Sequence, residues 1–486
     1  MSKVYTLYEL IKSLTPAEKS GFKKKHKPKP GDTPSYYFEL FQILDGTKKY
    51  DEEKIKHKIR ERIKYKTFVL PNTLNNLHKL IRLYLRKHHQ QGSALIELYE
   101  MLTDIQILLD KNLMDQAWDT IRKAKRKAKE FHHDIILLKL LVLEKQFIRQ
   151  HEKQHSDKLM ANNHEESEKY LEQFTISLDL FKFYDKIFLL TRNKDLKVDA
   201  NKIVKELINQ LPIIPPTSFD NKMLYHQAYS LYYKHIDDKN GNLKYSASHL
   251  FTLIQYFDEN PHLIDEYTNR YIYIINNYLN AFTLLKRFNE FPIYLKKLED
   301  IPKKTKKREN VGYKLFEVKS YLSLLYYIST EKFKEGLNII PEVEEGLKKY
   351  KEKISLLHQI SINHNIGLIY FHNKLFDKAS FYLAYLADEK QEVRQDIKLF
   401  CKLQLAVIAY EEGQDSSLES ITRSITRKKE YDGYYIKNVA KTLQKAFGAL
   451  KKKEKSLFQE LKETLEKRND YEHGKDQILI WLKKKI

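Results

Sequence analysis

Apolar residues recur three and four apart over long stretches of the chain. Leu74, Leu77, Leu80, Ile81 and Leu85 form one such stripe, and Ile55, Ile59 and Ile63 form another. Side chains at those spacings share one face of an α-helix, so each stripe predicts a helix with a buried side. The start signals agree. Thr15-Pro16 followed by Glu18 predicts a helix with threonine as N-cap, proline at its first position and glutamate closing a capping box. Asp51 is placed to cap the helix that carries Ile55. Shorter helices are predicted over 7–14 and 37–44, the second ended by Asp45-Gly46. Between them, residues 27–34 (Lys-Pro-Lys-Pro-Gly-Asp-Thr-Pro) read as an extended basic loop, because each proline disfavours helix in the residue before it.

From about residue 94 the pattern becomes pairs of amphipathic helices. Breaks fall at Leu211-Pro-Ile-Ile-Pro-Pro216, at Asp237 to Asn242, and at Ile301-Pro-Lys-Lys-Thr-Lys-Lys-Arg308, which reads as a basic loop. They divide the chain into a helical N-terminal domain at 1–90, helical hairpins at 91–210, further hairpins at 217–433 and C-terminal capping helices at 434–486. Composition supports helices throughout. The chain has 486 residues but only 13 Gly and 12 Pro, too few for the many turns of a sandwich or barrel. Its length exceeds what one core supports, so it is a multi-domain chain or a repeat array.

The phrase Asn365-Ile-Gly367-Leu-Ile-Tyr370, a loop near Asn373, and Leu375-Phe376-Asp-Lys-Ala379 resembles a tetratricopeptide (TPR) repeat. Gly367, Tyr370 and Ala379 match that family's small, aromatic and small positions. Small residues let two helices approach, and the aromatic fills the space beside them. Tyr327 with Phe333-Lys-Glu-Gly336 repeats the phrase 43 residues earlier, longer than the standard period of roughly 34. Met114-Asp-Gln-Ala117, Phe282 with Phe288-Asn-Glu-Phe291, and Leu405 to Tyr410 with Glu411-Glu-Gly413 are more degenerate copies. The fold class expected is therefore all-α: an α-solenoid of stacked antiparallel hairpins, TPR-like, with a small helical N-terminal domain. The resemblance implies a groove that binds a helix or an extended peptide of a protein partner.

Charge adds a second theme. The formal net charge is +22. Residues 1–90 carry +12 and residues 421–486 carry +9, while the long middle carries only +1. Basic ends suit an anionic partner. The candidate contacts are Lys23, Lys24, Lys25, Lys27 and Lys29 near the start, Lys451, Lys452 and Lys453 near the end, and a helical run of Arg122, Lys123, Lys125, Arg126, Lys127 and Lys129. At about 100° per residue that run spreads its six cations over most of a helix's exposed circumference, against a single local acid, Glu130. Lysine supplies point charges to phosphate rather than base-reading geometry, which suits RNA or another anionic surface. The alternative is a DNA-binding transcriptional regulator with the TPR-like region as sensor and an N-terminal helix-turn-helix, a helix over 51–62 with one over 72–87, the second carrying Asn72, Thr73, Asn75, Asn76 and Lys79 near its start, as recognition helices do.

Catalytic signatures are weak. His151-Glu152-Lys153-Gln154-His155 has the spacing of a zinc-protease helix, with Glu165, Glu166 or Glu168 as third ligand, but its polar flanks read as a solvated helix end. His88-His89 and His132-His133 lie near helix ends. Cys401 sits in an apolar helical run and reads as core. No glycine-rich phosphate loop or nucleophile elbow occurs. The expectation is a non-enzymatic scaffold without cofactor or metal. The first residues lack the apolar core of a signal peptide and no run of 18 apolar residues occurs, so a cytoplasmic protein is expected, with the oligomeric state open.

Overall fold

A computed structural model describes residues 2–28, 35–63, 70–89, 93–150, 156–192, 218–235, 242–304, 308–388, 394–428, 434–468 and 474–486. Among them every regular element is an α-helix and there is no strand. No helix among these residues is long and apolar enough to cross a membrane. The chain divides into two compact units, one of residues 1–237, 255–268 and 304–310, the other of 238–254, 269–303 and 311–486.

The first unit opens with five helices: α1 (Lys3–Ser13), α2 (Pro16–His26), α3 (Tyr36–Gly46), α4 (Glu52–Arg62) and α5 (Leu70–His89). The capping box at α2 is complete. The Thr15 hydroxyl accepts from the Glu18 amide at 3.2 Å, and the Glu18 carboxylate accepts from the Thr15 amide at 2.7 Å. Asp51 caps α4 through the Lys54 amide. The stripes read from sequence form the core: Leu7, Ile11, Phe22, Phe41, Ile55, Ile59, Leu77 and Ile81 are buried together. α3 runs past Asp45 to Gly46 and closes on Thr47, whose hydroxyl donates to the Ile43 carbonyl at 2.7 Å. Helix α5 packs on α1, α2 and α3, and α4 packs on α3.

Four further helices follow in the same unit, α6 (Ala94–Asp110), α7 (Met114–Glu130), α8 (Asp134–Gln150) and the 37-residue α9 (Ser156–Arg192), then α10 (Phe219–His235). Each packs on the next, and α6 also touches α8. Ala117, Ile121, Ala124 and Ala128 give α7 a thin, fully buried face, which lets it lie close to its neighbours. Helix α11 (Asn242–Glu259) enters this unit at Gln255, and α12 (His262–Glu266) follows. Glu266 accepts from the Ser93 hydroxyl (3.1 Å) and the Ala94 amide (2.9 Å), so a carboxylate from far along the chain caps α6 and complements its dipole.

The second unit takes in α13 (Thr268–Leu284), α14 (Phe291–Lys304), α15 (Arg308–Ser329), α16 (Phe333–Leu337), α17 (Ile340–Tyr350), α18 (Leu356–His372), α19 (Phe376–Ala387), α20 (Gln395–Glu411), α21 (Asp415–Thr426), α22 (Tyr435–Ala446), α23 (Lys451–Glu466) and α24 (Lys475–Lys485). From α18 to α24 each helix packs on its successor, and α18, α20 and α22 also touch in turn. Contact between every helix and the next, and between the first helices of successive hairpins, is solenoid-like stacking. Gly367 lies where an added Cβ would be 3.1 Å from Leu383 of α19, Gly336 where it would be 3.0 Å from Ile369, and Ala379 is fully buried. The Tyr370 and Tyr382 rings stack at 6.0 Å. The expected basic loop at 301–308 starts later than read: α14 continues through Pro302 to Lys304. Leu298 and Ile301 are buried on that turn, which offsets the hydrogen bond that proline forgoes.

One backbone device recurs at the hairpins. Asn112, His132, Lys286, Glu331, Lys374 and Gly413 all have φ between 55° and 69° and stand between consecutive helices. At each, the following amide reaches back five residues, as in Leu113 to Leu108 (2.8 Å), Lys332 to Tyr327 (2.9 Å), Leu375 to Tyr370 (3.0 Å) and Gln414 to Ala409 (2.8 Å). This is the Schellman closure, which satisfies orphan carbonyls while reversing the chain. In the second unit the left-handed residues fall at 286, 331, 374 and 413, so the turn recurs every 39 to 45 residues.

Five of those six residues carry a side chain that disfavours the left-handed region. Lys374→Gly is expected to raise unfolding stability by roughly 0.5–1 kcal/mol, the relieved strain less the added freedom of glycine in the unfolded chain. Lys374→Val should lower it, and thermal melts of the two variants check the pair.

Candidate anion-binding and partner-binding surfaces

The basic run on α7 behaves differently from its sequence. Lys125 is held 2.7 Å from Glu144 of α8 and 2.7 Å from Glu166 of α9. Lys129 also pairs with Glu166, Lys127 with Glu97 of α6, and Arg122 with Asp119. Half of the six cations thus tie α7 to its three neighbours. Burial tends to raise the Glu166 carboxyl, but the two lysines hold it below the usual range. Asn163 is 2% exposed and donates to both Glu144 (2.8 Å) and the Leu141 carbonyl (2.9 Å), completing a satisfied polar floor.

Above that floor lies an open cleft of about 770 Å³ lined by Trp118, Arg122, Lys123, Arg126, Leu159 and Asn162 as well as the network. Trp118 stacks on Phe147 at 4.8 Å, and the Arg122 guanidinium lies 5.9 Å over its ring. Lys123 and Arg126 remain exposed on the rim. Acids from α6, α8 and α9, which local sequence does not place beside α7, engage Lys125, Lys127 and Lys129, while Arg122, Lys123 and Arg126 are exposed.

At the N-terminal end, Lys23 is engaged by Asp45 (2.6 Å), with Lys19 on the same carboxylate (3.0 Å). Lys24, Lys25 and Lys27 are exposed, and Lys29 lies outside the described residues. On α5, Asn72, Asn75, Asn76 and Lys79 are exposed, while Thr73 is buried and faces the bundle. Residues 64–69, the connection of the expected helix-turn-helix, lie outside the described residues. At the other end of the sequence, Lys451, Lys452 and Lys453 are exposed in the first turn of α23. Thus the structure groups four of the six α7 cations, Arg122, Lys123, Lys125 and Arg126, in one cleft, and places the α2 and α23 lysines on separate units.

In the second unit the first helices of the hairpins have little open surface. Ser361 to Phe371, apart from Asn363, are buried on α18, and most of Ile397 to Ala409 on α20. The last helix adds cover. Trp481 donates to Glu411 of α20 (2.6 Å), Lys485 pairs with the same carboxylate (2.7 Å), Gln477 bonds to His372 of α18 (2.9 Å), and Lys484 lies over the Phe333 ring of α16. Burial, with Lys484 nearby, pulls His372 down to about 3, so it is neutral. An exposed aromatic pair stands on a second helix: Phe381 is 73% and Tyr385 60% accessible, one turn apart on α19, with Tyr245, Tyr273 and Tyr434 open elsewhere in the unit.

Glu317 is 2% exposed and bonded to Lys314 (2.7 Å) and His358 (2.6 Å), which hold it near 2 against the opposing effect of burial. Cys401 is fully buried, which pushes its thiol well above the usual range and leaves no thiolate. The His151–His155 motif lies outside the described residues, and Glu166, one proposed third ligand, is taken by lysines. Among the described residues no group of three His, Cys, Asp or Glu side chains is arranged for a metal.

The α7–α8 turn gathers groups that sequence reading passed over as helix ends. The His132 ring stacks on Phe219 (5.1 Å) and its Nε2 is 3.3 Å from the Tyr256 hydroxyl, while His133 lies 3.6 Å from Glu266. Beside them, burial, and secondly the charge of Asp220, push Asp134 up to about 6. Comparison of the chain with protein-family models, with characterised proteins and with solved structures returns no match.

Two outcomes follow from these charges. Because the folded state raises Asp134 above its ordinary value of 3.8, it binds that proton more tightly than the unfolded chain, so stability falls as pH rises from about 4 through 6. Asp134→Asn should remove this slope and stabilise the protein at pH 7.5 by about 1–2 kcal/mol, read by denaturant melts across pH. Glu317→Gln strips both partners of their counter-charge and should destabilise by about 3 kcal/mol at neutral pH.

Proposed function

We propose that the chain is a non-enzymatic scaffold of TPR-like helical hairpins that binds a protein partner on its repeats and meets an anionic partner, RNA, a ribonucleoprotein or DNA, with its basic ends. The observation that carries this is the exposed aromatic pair Phe381 and Tyr385 on α19, a helix fixed from beneath by Ala379, Leu383 and Leu386. Large aromatics presented on a rigid helix are the residues that dominate protein interfaces, since they bury much area for few rotamers. The burial of α18 and α20 shifts the expected docking place from an inner groove to this outer face. Lys24, Lys25 and Lys27 supply the anionic contact on the first unit.

The test is affinity capture from native lysate by the whole chain, with and without nuclease and across a salt series. A defined protein set should survive both treatments and be lost with Phe381→Ala plus Tyr385→Ala, while a nucleic-acid-bearing fraction should vanish with nuclease or salt. Retention of the same proteins by the double variant would sink the outer-face reading.

A further inference from the structure

The solvent face of α5 has a composition unlike that of any other helix in the first unit. Asn72, Asn75, Lys79, Arg82 and Arg86 lie at spacings of three and four and are all exposed, with Asn76 and Leu83 beside them. They therefore form one stripe, about 21 Å long at the rise of an α-helix. The opposite stripe, Leu74, Leu77 and Ile81, is buried in the bundle, so the orientation of the outer face is fixed. No Asp or Glu occurs between Glu61 and Glu97. Among the described residues, Lys79, Arg82 and Arg86 have no carboxylate partner, in contrast to the lysines of α7. Amides occupy the N-terminal half of the stripe and cations the C-terminal half.

The neighbouring helix extends the cationic end. Tyr84 reaches over Gly21, whose missing side chain leaves room for the phenol, and its ring meets Phe22 edge-on at 5.6 Å. Lys24 and Lys25 follow this crossing by about one turn of α2, and Arg86 and Lys87 follow it by less than one turn of α5.

We propose that α5 docks in the major groove of duplex DNA, with Asn72 and Asn75 toward base edges and Lys79, Arg82 and Arg86, together with Lys24 and Lys25 of α2, on phosphates. The major groove admits a single helix, amides pair with adenine, and guanidinium groups bind phosphate strongly. A-form RNA duplexes have a groove too narrow for a helix. Single-stranded RNA is held by stacking on aromatic rings. The rings beside the stripe are already engaged: Tyr84 is packed on Phe22, His88 stacks on Tyr84, and half-buried Tyr37 of α3 accepts from Asn76 at 3.3 Å. The proposal rests on the reading of the N-terminal end as an anion contact and narrows that anion to one class.

The experiment uses the full chain and fluorescence anisotropy with a labelled mixed-sequence duplex of about 24 base pairs, a single-stranded RNA of equal length, and polyglutamate as competitor, over a salt series. Duplex binding is expected, with Arg82→Glu plus Arg86→Glu weakening it at least ~30-fold and lowering the salt slope by about two. Asn72→Ala plus Asn75→Ala should leave mixed-sequence binding within about threefold but erase sequence preference in a selection from random duplexes. Circular dichroism melts should match the native chain for both variants, and Lys451→Glu plus Lys452→Glu should bind duplex normally. Native-like duplex binding by the arginine variant overturns the proposal. Tighter binding of the RNA, or competition by polyglutamate at equal charge, overturns it equally. Absence of duplex binding alongside partner capture through α19 would fell this inference alone, whereas duplex binding without partner capture would fell the scaffold reading and leave α5 standing.

Discussion

Among the described residues, six turns between consecutive helices reverse through a single residue held in the left-handed region, and that closure constrains what stacks upon them. Reaching back five residues, the amide after Asn112, Glu331, Lys374 or Gly413 consumes a carbonyl that the helix end would otherwise leave unpaired. The next helix then starts at a nearly fixed angle. Once that angle is set, only small residues fit where the two helices meet, as at Ala117, Gly336, Gly367 and Ala379. A single hairpin built this way has an apolar face with nothing on it, and the neighbouring hairpin covers it. The turn, the small residues and the stacking are three consequences of one backbone geometry.

Electrostatics then sorts the cations into two populations. On α7, Lys125, Lys127 and Lys129 are structural: Lys125 bridges two carboxylates over a floor that Asn163 completes, while Lys123 stays exposed. Lys24 and Lys25 of α2 and Lys79, Arg82 and Arg86 of α5 stay solvated, whereas Lys19 and Lys23 are held by Asp45. The first arrangement joins helices and the second is open to an outside anion. A run of lysines is therefore not one kind of object, and density along the sequence is a poorer guide to availability than the acids brought in by neighbouring helices.

Burial of the first helices in the second unit has a similar effect on partner binding. α18 and α20 are enclosed by their own hairpins, and α24 secures them through Trp481, Gln477 and Lys485. The basic C-terminus thus serves the fold as much as any partner, with Lys484 resting on Phe333. The adjacent exposed aromatics Phe381 and Tyr385 lie instead on α19.

The sequence by itself determined the helices. Thr15, Pro16 and Glu18 announced a capping box because capping is a contact between residues three apart, and the Leu74–Ile81 stripe announced a buried face because periodicity is local. The small residues at 367 and 379 announced close approach for the same reason. Tertiary structure alone decided which charges are available, since Glu97, Glu144 and Glu166 reach α7 only through packing. It also decided that α14 continues through Pro302, where buried Leu298 and Ile301 outweigh a local signal, and that Glu266 caps a helix begun far earlier in the chain. Short-range patterns are written in neighbouring residues; the pairing of charges and the burial of faces depend on distances in space, which sequence separation does not encode.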